Sequence, residues 1–176
     1  MTATEYVILV NEHNQEIGHA EKISVHKSNL LHRAFSVFIF RKCPQVELML
    51  QQRALDKYHS AGLWTNTCCS HPRPGEDIIQ AAMRRLQEEL GIVTTLKHLG
   101  WFHYNAHFPN KLSENEIDHV LLGEVSPNIT IKPNPAEIHA YRWISIAELQ
   151  KEITSHPEQF TSWLQQSLDL VKKNIF

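Results

Sequence analysis

The 176-residue chain contains little cysteine and no long apolar run. Its three cysteines are an odd number and two of them are adjacent, which does not resemble the paired-cysteine framework of small secreted domains. This cysteine usage predicts a cytoplasmic protein. The apolar stretches Tyr6–Val10 and Ala34–Phe40 are far shorter than the roughly 18 residues of a membrane span, so no membrane partner is expected.

A charge excess is absent as well. The chain has 17 basic and 19 acidic residues and a net charge of −2, which gives no reason to expect a nucleic-acid partner. The N-terminus has no basic segment followed by an apolar one, so we expect no signal peptide, and the C-terminus carries no lipidation signal. Without repeats or linkers, and with 42% hydrophobic residues, residues 1–176 are predicted to form a single domain that is a monomer or, as the less favoured alternative, a homodimer.

Short apolar and alternating runs predict a sheet with few helices. Strands are predicted at Tyr6–Val10, Phe35–Phe40, Val46–Gln51, Leu63–Cys69, Lys97–Tyr104, Glu116–Val125 and Ala140–Ile144. The segment from Gly18 to Leu31 is predicted to be irregular. Ser145 and Glu148 have the spacing of a capping box and should begin a short helix. Pro157 should lie in the first turn of an apolar terminal helix.

The clearest helix pattern runs from Asp77 to Leu90 and ends at Gly91. Apolar residues recur on one face, and Glu88 falls nearly opposite that face. Glu89 falls at its edge, where it should meet the sheet. A carboxylate placed there needs a cation or hydrogen-bond donors. A simple ion pair with Arg85 is the alternative to a functional role.

A run from Thr65 to Pro72 places a thiol and an imidazole close together. If the segment is extended, Cys69 and His71 point to the same face, because side chains alternate along a strand. The thiol is a candidate proton donor and the imidazole a candidate metal ligand. A buried cysteine acting as a small apolar group beside a surface histidine is the alternative.

Further candidate metal ligands occur in two pairs. Glu114 and Glu116 are two residues apart where a strand begins, so their carboxylates can face the same way. His26 and His32 lie in the segment predicted to be irregular. Together with His71 they offer nitrogen and oxygen donors, which suit Zn²⁺, Mn²⁺ or Fe²⁺ better than Ca²⁺ or Mg²⁺ alone. Spacing alone does not bring the five together, and scattered surface polar residues are the alternative.

Four basic side chains could clamp a diphosphate, with arginine as a two-pronged donor and lysine as a point charge. They are Lys22, Arg53, Lys57 and Arg85. For each one taken singly, a solvated surface charge is the alternative.

The helix and its flanks resemble the Nudix box, in which a loop, a helix and a loop present glutamates to divalent metal and diphosphate. The matching pattern is Ser70-x5-Glu76-x7-Arg84-Arg85-Leu86-x-Glu88-Glu89-x-Gly91-Ile92. Two positions depart from it, because Ser70 replaces the opening glycine and Arg85 replaces the glutamate that follows the first arginine. The loss of that carboxylate argues against hydrolysis and for holding an intact diphosphate.

Four segments together resemble one branch of the Nudix superfamily, the type I isopentenyl-diphosphate isomerases. They are His26-x5-His32-Arg33-Ala34-Phe35-Ser36, Gln52-Arg53-Ala54-Leu55-x-Lys57, Trp64-Thr65-Asn66-Thr67-Cys68-Cys69-Ser70-His71-Pro72 and Glu114-Asn115-Glu116-Ile117-Asp118-His119. The resemblance implies an α/β Nudix fold, with a mixed β-sheet core flanked by helices and an N-terminal extension. It also implies that the small-molecule partner is isopentenyl diphosphate, rearranged to dimethylallyl diphosphate through a tertiary carbocation.

The same resemblance implies a role for each candidate. Cys69 and Glu116 would be the acid–base pair, and Tyr104 would assist proton delivery. Trp163 would face the cation, with core packing as its alternative. A transition metal, Zn²⁺ or Mn²⁺, would be held by His26, His32, His71, Glu114 and Glu116. Mg²⁺ would bind Glu89, with the carbonyl of Cys69, and the diphosphate would contact Lys22, Arg53, Lys57, Ser70 and Arg85.

Two other functions stay open from the sequence. One is hydrolysis of a diphosphate, which Arg85 argues against. The other is binding of metal or diphosphate without catalysis.

Overall fold

The computed structural model describes residues 3–175, and the predicted domain limits at residues 1 and 176 lie outside them. Its strands are β1 Tyr6–Val10, β2 Glu16–Glu21, β3 His32–Lys42, β4 Val46–Arg53, β5 Trp64–Thr65, β6 Cys68–Ser70, β7 Lys97–His107, β8 Ser113–Glu124 and β9 Ile138–Ser145. Its helices are α1 Lys22–Ser28, α2 Ile78–Leu90, α3 Ile146–Ser155 and α4 Leu164–Ile175.

Strand β3 is the centre of a mixed sheet. It pairs antiparallel with β1, β4 and β6, and it pairs parallel with β8. Strand β9 extends the sheet beyond β4, and β7 extends it beyond β8. The mixed sheet flanked by helices confirms the fold predicted from the sequence.

Helices cover both faces of the sheet. Val37 packs in one core with Leu86 of α2, whereas its neighbour Phe38 packs in a second core with Leu149 of α3 and Leu168 of α4. Consecutive residues of a strand point to opposite faces, so one strand supplies both cores. Among residues 3–175, no helix is both long enough and apolar enough to cross a membrane.

Two helix starts follow the sequence signals. The Asp77 carboxylate accepts hydrogen bonds from the amides of Ile79 and Gln80, so Asp77 caps α2 instead of lying within it. The Ser145 hydroxyl accepts from the Glu148 amide at 3.3 Å and donates to the Glu148 carboxylate at 2.7 Å. The predicted start of α3 is therefore confirmed with Ser145 as its cap, although the Glu148 carboxylate bonds to the Ser145 hydroxyl and not to its backbone amide.

The segment from Gly18 to Leu31 is not irregular, and that prediction was wrong. It contains most of β2 and the whole of α1. The Glu21 carboxylate caps α1 by accepting from the amides of Ile23 and Ser24. Asn29 ends the helix in the left-handed conformation, with φ of 53°.

Most predicted strands differ from the observed ones only at their ends, but two further predicted elements are divided or displaced. The single strand expected at Leu63–Cys69 is split into β5 and β6, because the Asn66 and Thr67 side chains bond to the backbone of neighbouring strands. Pro157 begins a 3₁₀ turn that ends at Gln159, and α4 begins only at Leu164.

Candidate active site

A cavity of about 790 Å³ opens beside the polar ends of β3, β6 and β8. The strand register determines which residues form the floor of this cavity. His32 lies next to Glu116 in the parallel β3–β8 pair, and Ser36 lies opposite Cys69 in the β3–β6 pair. Because alternate residues share a face, Asp118 also faces the cavity. Three strands therefore bring residues from distant parts of the chain to one surface.

Three histidines and one glutamate form a compact cluster beside this floor. Their ligand atoms lie within 4.8 Å of one another, and the members are His26, His32, His71 and Glu116. His26 and His32 each donate Nδ1–H to a backbone carbonyl, at 2.7 and 2.9 Å, which leaves each Nε2 able to present a lone pair. Within residues 3–175, the buried Nε2 of His26 has no hydrogen-bond partner. These features fit a divalent metal ion.

The protonation states of the cluster fit the same interpretation. Burial lowers the pKa of His26 to about 4 and that of His71 to about 3, so both rings are neutral near pH 7. Burial opposes ionisation of Glu116, but hydrogen bonds with His32 and His71 hold its pKa below its usual range. Burial also opposes charge on His32, yet its contact with Glu116 raises the pKa of His32. A cation bound here would replace that proton.

Glu114 lies at the edge of the cluster, outside the group of four. Its Oε1 accepts from His59 Nε2 at 2.9 Å, and its buried Oε2 has no partner in the part of the chain that the structure describes. That free oxygen fits the predicted fifth ligand. His59 is nearly buried and stacks on Phe108 at 4.6 Å between ring centroids. No sequence signal marks His59, because it lies in a loop without a periodic pattern.

The two adjacent cysteines point in opposite directions. Cys69 lines the cavity, and its thiol donates to Asn66 Oδ1 at 2.9 Å. Burial and the nearby Asp118 raise the pKa of the Cys69 thiol to about 12. Cys68 is fully buried in the core beneath α2. Of these two thiols, only that of Cys69 is placed to transfer a proton within the cavity.

The two aromatic candidates are placed differently. Trp163 lines the cavity, and Arg53 lies with its guanidinium carbon 5.7 Å from the indole centroid. Tyr104 packs edge-on against Trp163 at 5.9 Å but is not among the residues that line the cavity. Its hydroxyl is hydrogen-bonded to Ser162 Oγ at 2.6 Å. Tyr104 lies across from Glu116 on the neighbouring strand, and its role in proton delivery stays a prediction.

All five predicted diphosphate contacts line the cavity: Lys22, Arg53, Lys57, Ser70 and Arg85. Lys22 forms an ion pair with Glu5 at 2.8 Å. Lys57 and Arg85 both pair with Glu137, the latter at 3.3 Å. The Glu137 carboxylate therefore holds the charged groups of Lys57 and Arg85 next to each other. No sequence pattern marks Glu137, which follows a long loop.

The two glutamates of α2 lie as the helix pattern predicts. The Glu89 side chain is 4% exposed, whereas the Glu88 side chain is 43% exposed. Glu89 Oε1 accepts from Arg85 at 2.6 Å, and Oε2 accepts from Gln51 at 3.2 Å. Burial raises the pKa of Glu89 even though Arg85 opposes the shift. The face assignment is confirmed, and the ion pair given as the alternative is also present.

Known proteins resemble this chain over most of its length. The NUDIX domain family matches residues 30–164. Isopentenyl-diphosphate Delta-isomerase of Photobacterium profundum is 47% identical, over 97% of this chain and 96% of that protein. The protein of the same name from Serratia proteamaculans is 48% identical, over 90% of this chain and 87% of that protein. The crystal structure of DR0079 from Deinococcus radiodurans is 18% identical, with a TM-score of 0.75 over 94% of this chain and 98% of that chain.

Proposed function

Since the chain belongs to the isopentenyl-diphosphate Delta-isomerases of the NUDIX family, we infer that it converts isopentenyl diphosphate to dimethylallyl diphosphate in isoprenoid biosynthesis. The observation that carries this inference to the site is a half-buried thiol, that of Cys69, and a buried carboxylate, that of Glu116, which face one cavity. The rearrangement adds a proton at one carbon and removes one at another, so it needs an acid and a base.

The resting protonation states suit Cys69 as the acid and Glu116 as the base. The raised pKa keeps Cys69 a thiol, and the lowered pKa keeps Glu116 a carboxylate. The S–H proton goes to the terminal methylene carbon of the alkene, which leaves a tertiary carbocation and a thiolate. Glu116 then takes a proton from the methylene between the double bond and the carbon that bears the diphosphate. The new double bond forms there, and a proton must return to sulfur before the next cycle.

The surroundings protect the cation. Water would trap a carbocation, and the cavity is closed at its floor by buried side chains. The Trp163 ring lines this space and can stabilise positive charge by about 2 kcal/mol when water is excluded. Trp163 is therefore proposed to face the cation.

A resident divalent ion fits the histidine cluster. We propose that His26, His32, His71 and Glu116, joined by Glu114, hold Zn²⁺ or Mn²⁺. Such an ion would place positive charge beside Glu116, which would make the protonated form of Glu116 a stronger acid in the reverse direction. Glu89, with the carbonyl of Cys69, is proposed to hold the Mg²⁺ that accompanies the diphosphate.

The diphosphate is bound and left intact in this proposal. Arg85 stands where hydrolases of this superfamily carry a carboxylate, so a cation points at the diphosphate instead of a further metal ligand. Lys22, Arg53 and Lys57 complete the positive side of the cavity, and Ser70 adds a hydroxyl. Lys57 is already paired with Glu137, so a bound diphosphate would share this ammonium group with the Glu137 carboxylate.

One assay tests the function. Purified protein is incubated with isopentenyl diphosphate and Mg²⁺, and the products are analysed for dimethylallyl diphosphate and free phosphate. We expect the isomer and no phosphate. Phosphate release without the isomer would support hydrolysis, and tight substrate binding without either product would support a binding protein.

The compartment and the assembly stay predictions. Catalysis needs Cys69 as a free thiol, so we propose a reducing compartment such as the cytoplasm. A monomer is proposed, with a homodimer as the less favoured alternative.

Changing Glu89 to glutamine should affect the Mg²⁺ requirement far more than changing Glu88. Of these two glutamates, only Glu89 faces the cavity. We therefore expect the Mg²⁺ concentration for half-maximal activity to rise roughly tenfold or more in Glu89→Gln. Glu88→Gln, on the exposed side of the same helix, is the matched control. Mg²⁺ titrations of both variants, with unfolding midpoints, give the answer. Equal Mg²⁺ dependence would show that Glu89 does not hold this ion.

Changing Trp163 to leucine should slow turnover roughly thirtyfold, the equivalent of about 2 kcal/mol. Trp163→Phe should keep substantial activity, because a weaker aromatic face remains. The kcat of both variants is compared with their unfolding midpoints. If kcat only follows the folded fraction, or if both variants are equally active, Trp163 serves packing alone.

A further inference from the structure

The side chain of Asn66 is fully buried between β5 and β6. Its Nδ2 donates to the backbone carbonyls of Val37, at 3.1 Å, and Cys68, at 2.9 Å. Carbonyl oxygens only accept, so these two bonds fix which way the carboxamide faces. Its Oδ1 must point away from the backbone and toward the cavity side.

That single oxygen receives three hydrogen bonds. The donors are the Cys69 thiol at 2.9 Å, the Trp163 indole at 3.1 Å and the Thr65 hydroxyl at 2.8 Å. Thr65 in turn accepts from the Thr161 hydroxyl at 2.8 Å. Asn66 therefore links the thiol of β6 to a ring that comes from nearly a hundred residues further along the chain.

We propose that Asn66 is a positioning residue for the isomerisation, fixing the Cys69 thiol and the Trp163 ring relative to each other through its one carboxamide oxygen. Asn66 does not line the cavity and acts only through these two groups. The inference rests on the proposed function, in which Cys69 gives the proton and Trp163 faces the resulting cation. A misplacement of about 1 Å between reacting groups can cost on the order of a hundredfold in rate.

The first test compares Asn66→Ala with a control from the next position. Thr67 is equally buried, but its hydroxyl bonds only to the backbone of Ile39 and Met49, at 2.9 and 2.7 Å. We expect Asn66→Ala to lower kcat about a hundredfold per folded molecule and to change KM less than threefold. Thr67→Val should lower the unfolding midpoint and leave kcat near that of the parent.

A double-mutant cycle tests the link to Trp163. Either substitution alone removes the hydrogen bond between the indole and Asn66. The fold-decrease in kcat of Asn66→Ala/Trp163→Phe should therefore be smaller than the product of the two single fold-decreases. Asn66→Ser replaces the alanine variant if that variant does not stay folded. An unchanged kcat per folded molecule in the Asn66 variant, or fully multiplicative losses in the cycle, overturns the proposal.

A second readout separates this inference from the proposed function. In a Cys43→Ser background, alkylation of Cys69 by iodoacetamide is followed by mass spectrometry of its peptide. We expect alkylation several times faster in Asn66→Ala than in the parent, and no change in Thr67→Val. A parent that forms no dimethylallyl diphosphate refutes the function while this readout still tests Asn66. Equal alkylation rates in all three proteins refute the positioning role, whatever the parent catalyses.

Discussion

Replacing Cys69 by alanine is expected to abolish isomerisation, whereas replacing Cys68 should leave most of it. The Cys69 thiol faces the cavity and is the proposed acid, while the neighbouring thiol points into the core beneath α2. Loss of a general acid typically costs about 10²–10⁴-fold, and alanine offers no substitute proton. The measurement is kcat for dimethylallyl diphosphate formation in both variants, with metal content checked.

Cys68→Ala serves as the matched control, because it also removes one thiol from strand β6. It leaves a small gap in a fully buried core, so its stability should fall by about 1 kcal/mol while its kcat per folded molecule stays near the parent's. Similar loss of kcat in both variants, with folding intact, would contradict the assignment of Cys69.

The long elements could be predicted because their patterns span several turns or pleats. Helix α2 repeats its apolar face over 13 residues, and Asp77 and Gly91 mark its ends. Helix α1 has only seven residues, too few for a periodic signal, and its cap is Glu21, which is an uncommon capping residue. The strand break at Asn66 was missed because Thr and Trp nearby favour extended backbone, while the break depends on bonds to distant strands.

The candidate site shows the same division between local and tertiary information. The helix pattern alone placed Glu89 inside and Glu88 outside, because both belong to one element. Grouping the histidines required the family resemblance, since the β3–β8 register that sets His32 beside Glu116 joins residues 84 positions apart. Glu137 and Asn66 act through contacts that carry no sequence pattern, so only the three-dimensional structure reveals them.

Glu116 combines two of the proposed tasks, because its carboxylate belongs to the histidine cluster and also faces the substrate cavity. Its Oε1 lies 3.2 Å from His32 Nε2 and 3.0 Å from His71 Nε2. Glutamine at this position would keep the size of the side chain but would lose the charge. Both the affinity for a divalent ion and the capacity to take a proton should then suffer together.

Glu116→Gln is therefore expected to lower kcat by about a thousandfold or more and to lose most of the bound transition metal. Metal analysis of protein purified without chelator, together with kcat at saturating Mg²⁺, makes the measurement.

In the parent, the metal content should fall on acidification, because protons compete for the imidazole nitrogens. Glu124→Gln, at the exposed end of the same strand and paired with Lys42, should change neither quantity. A parent without stoichiometric metal that is fully active after chelation, with Mg²⁺ alone, would remove the metal from the proposal. A metal-free Glu116→Gln with unchanged kcat would also remove Glu116 as the base.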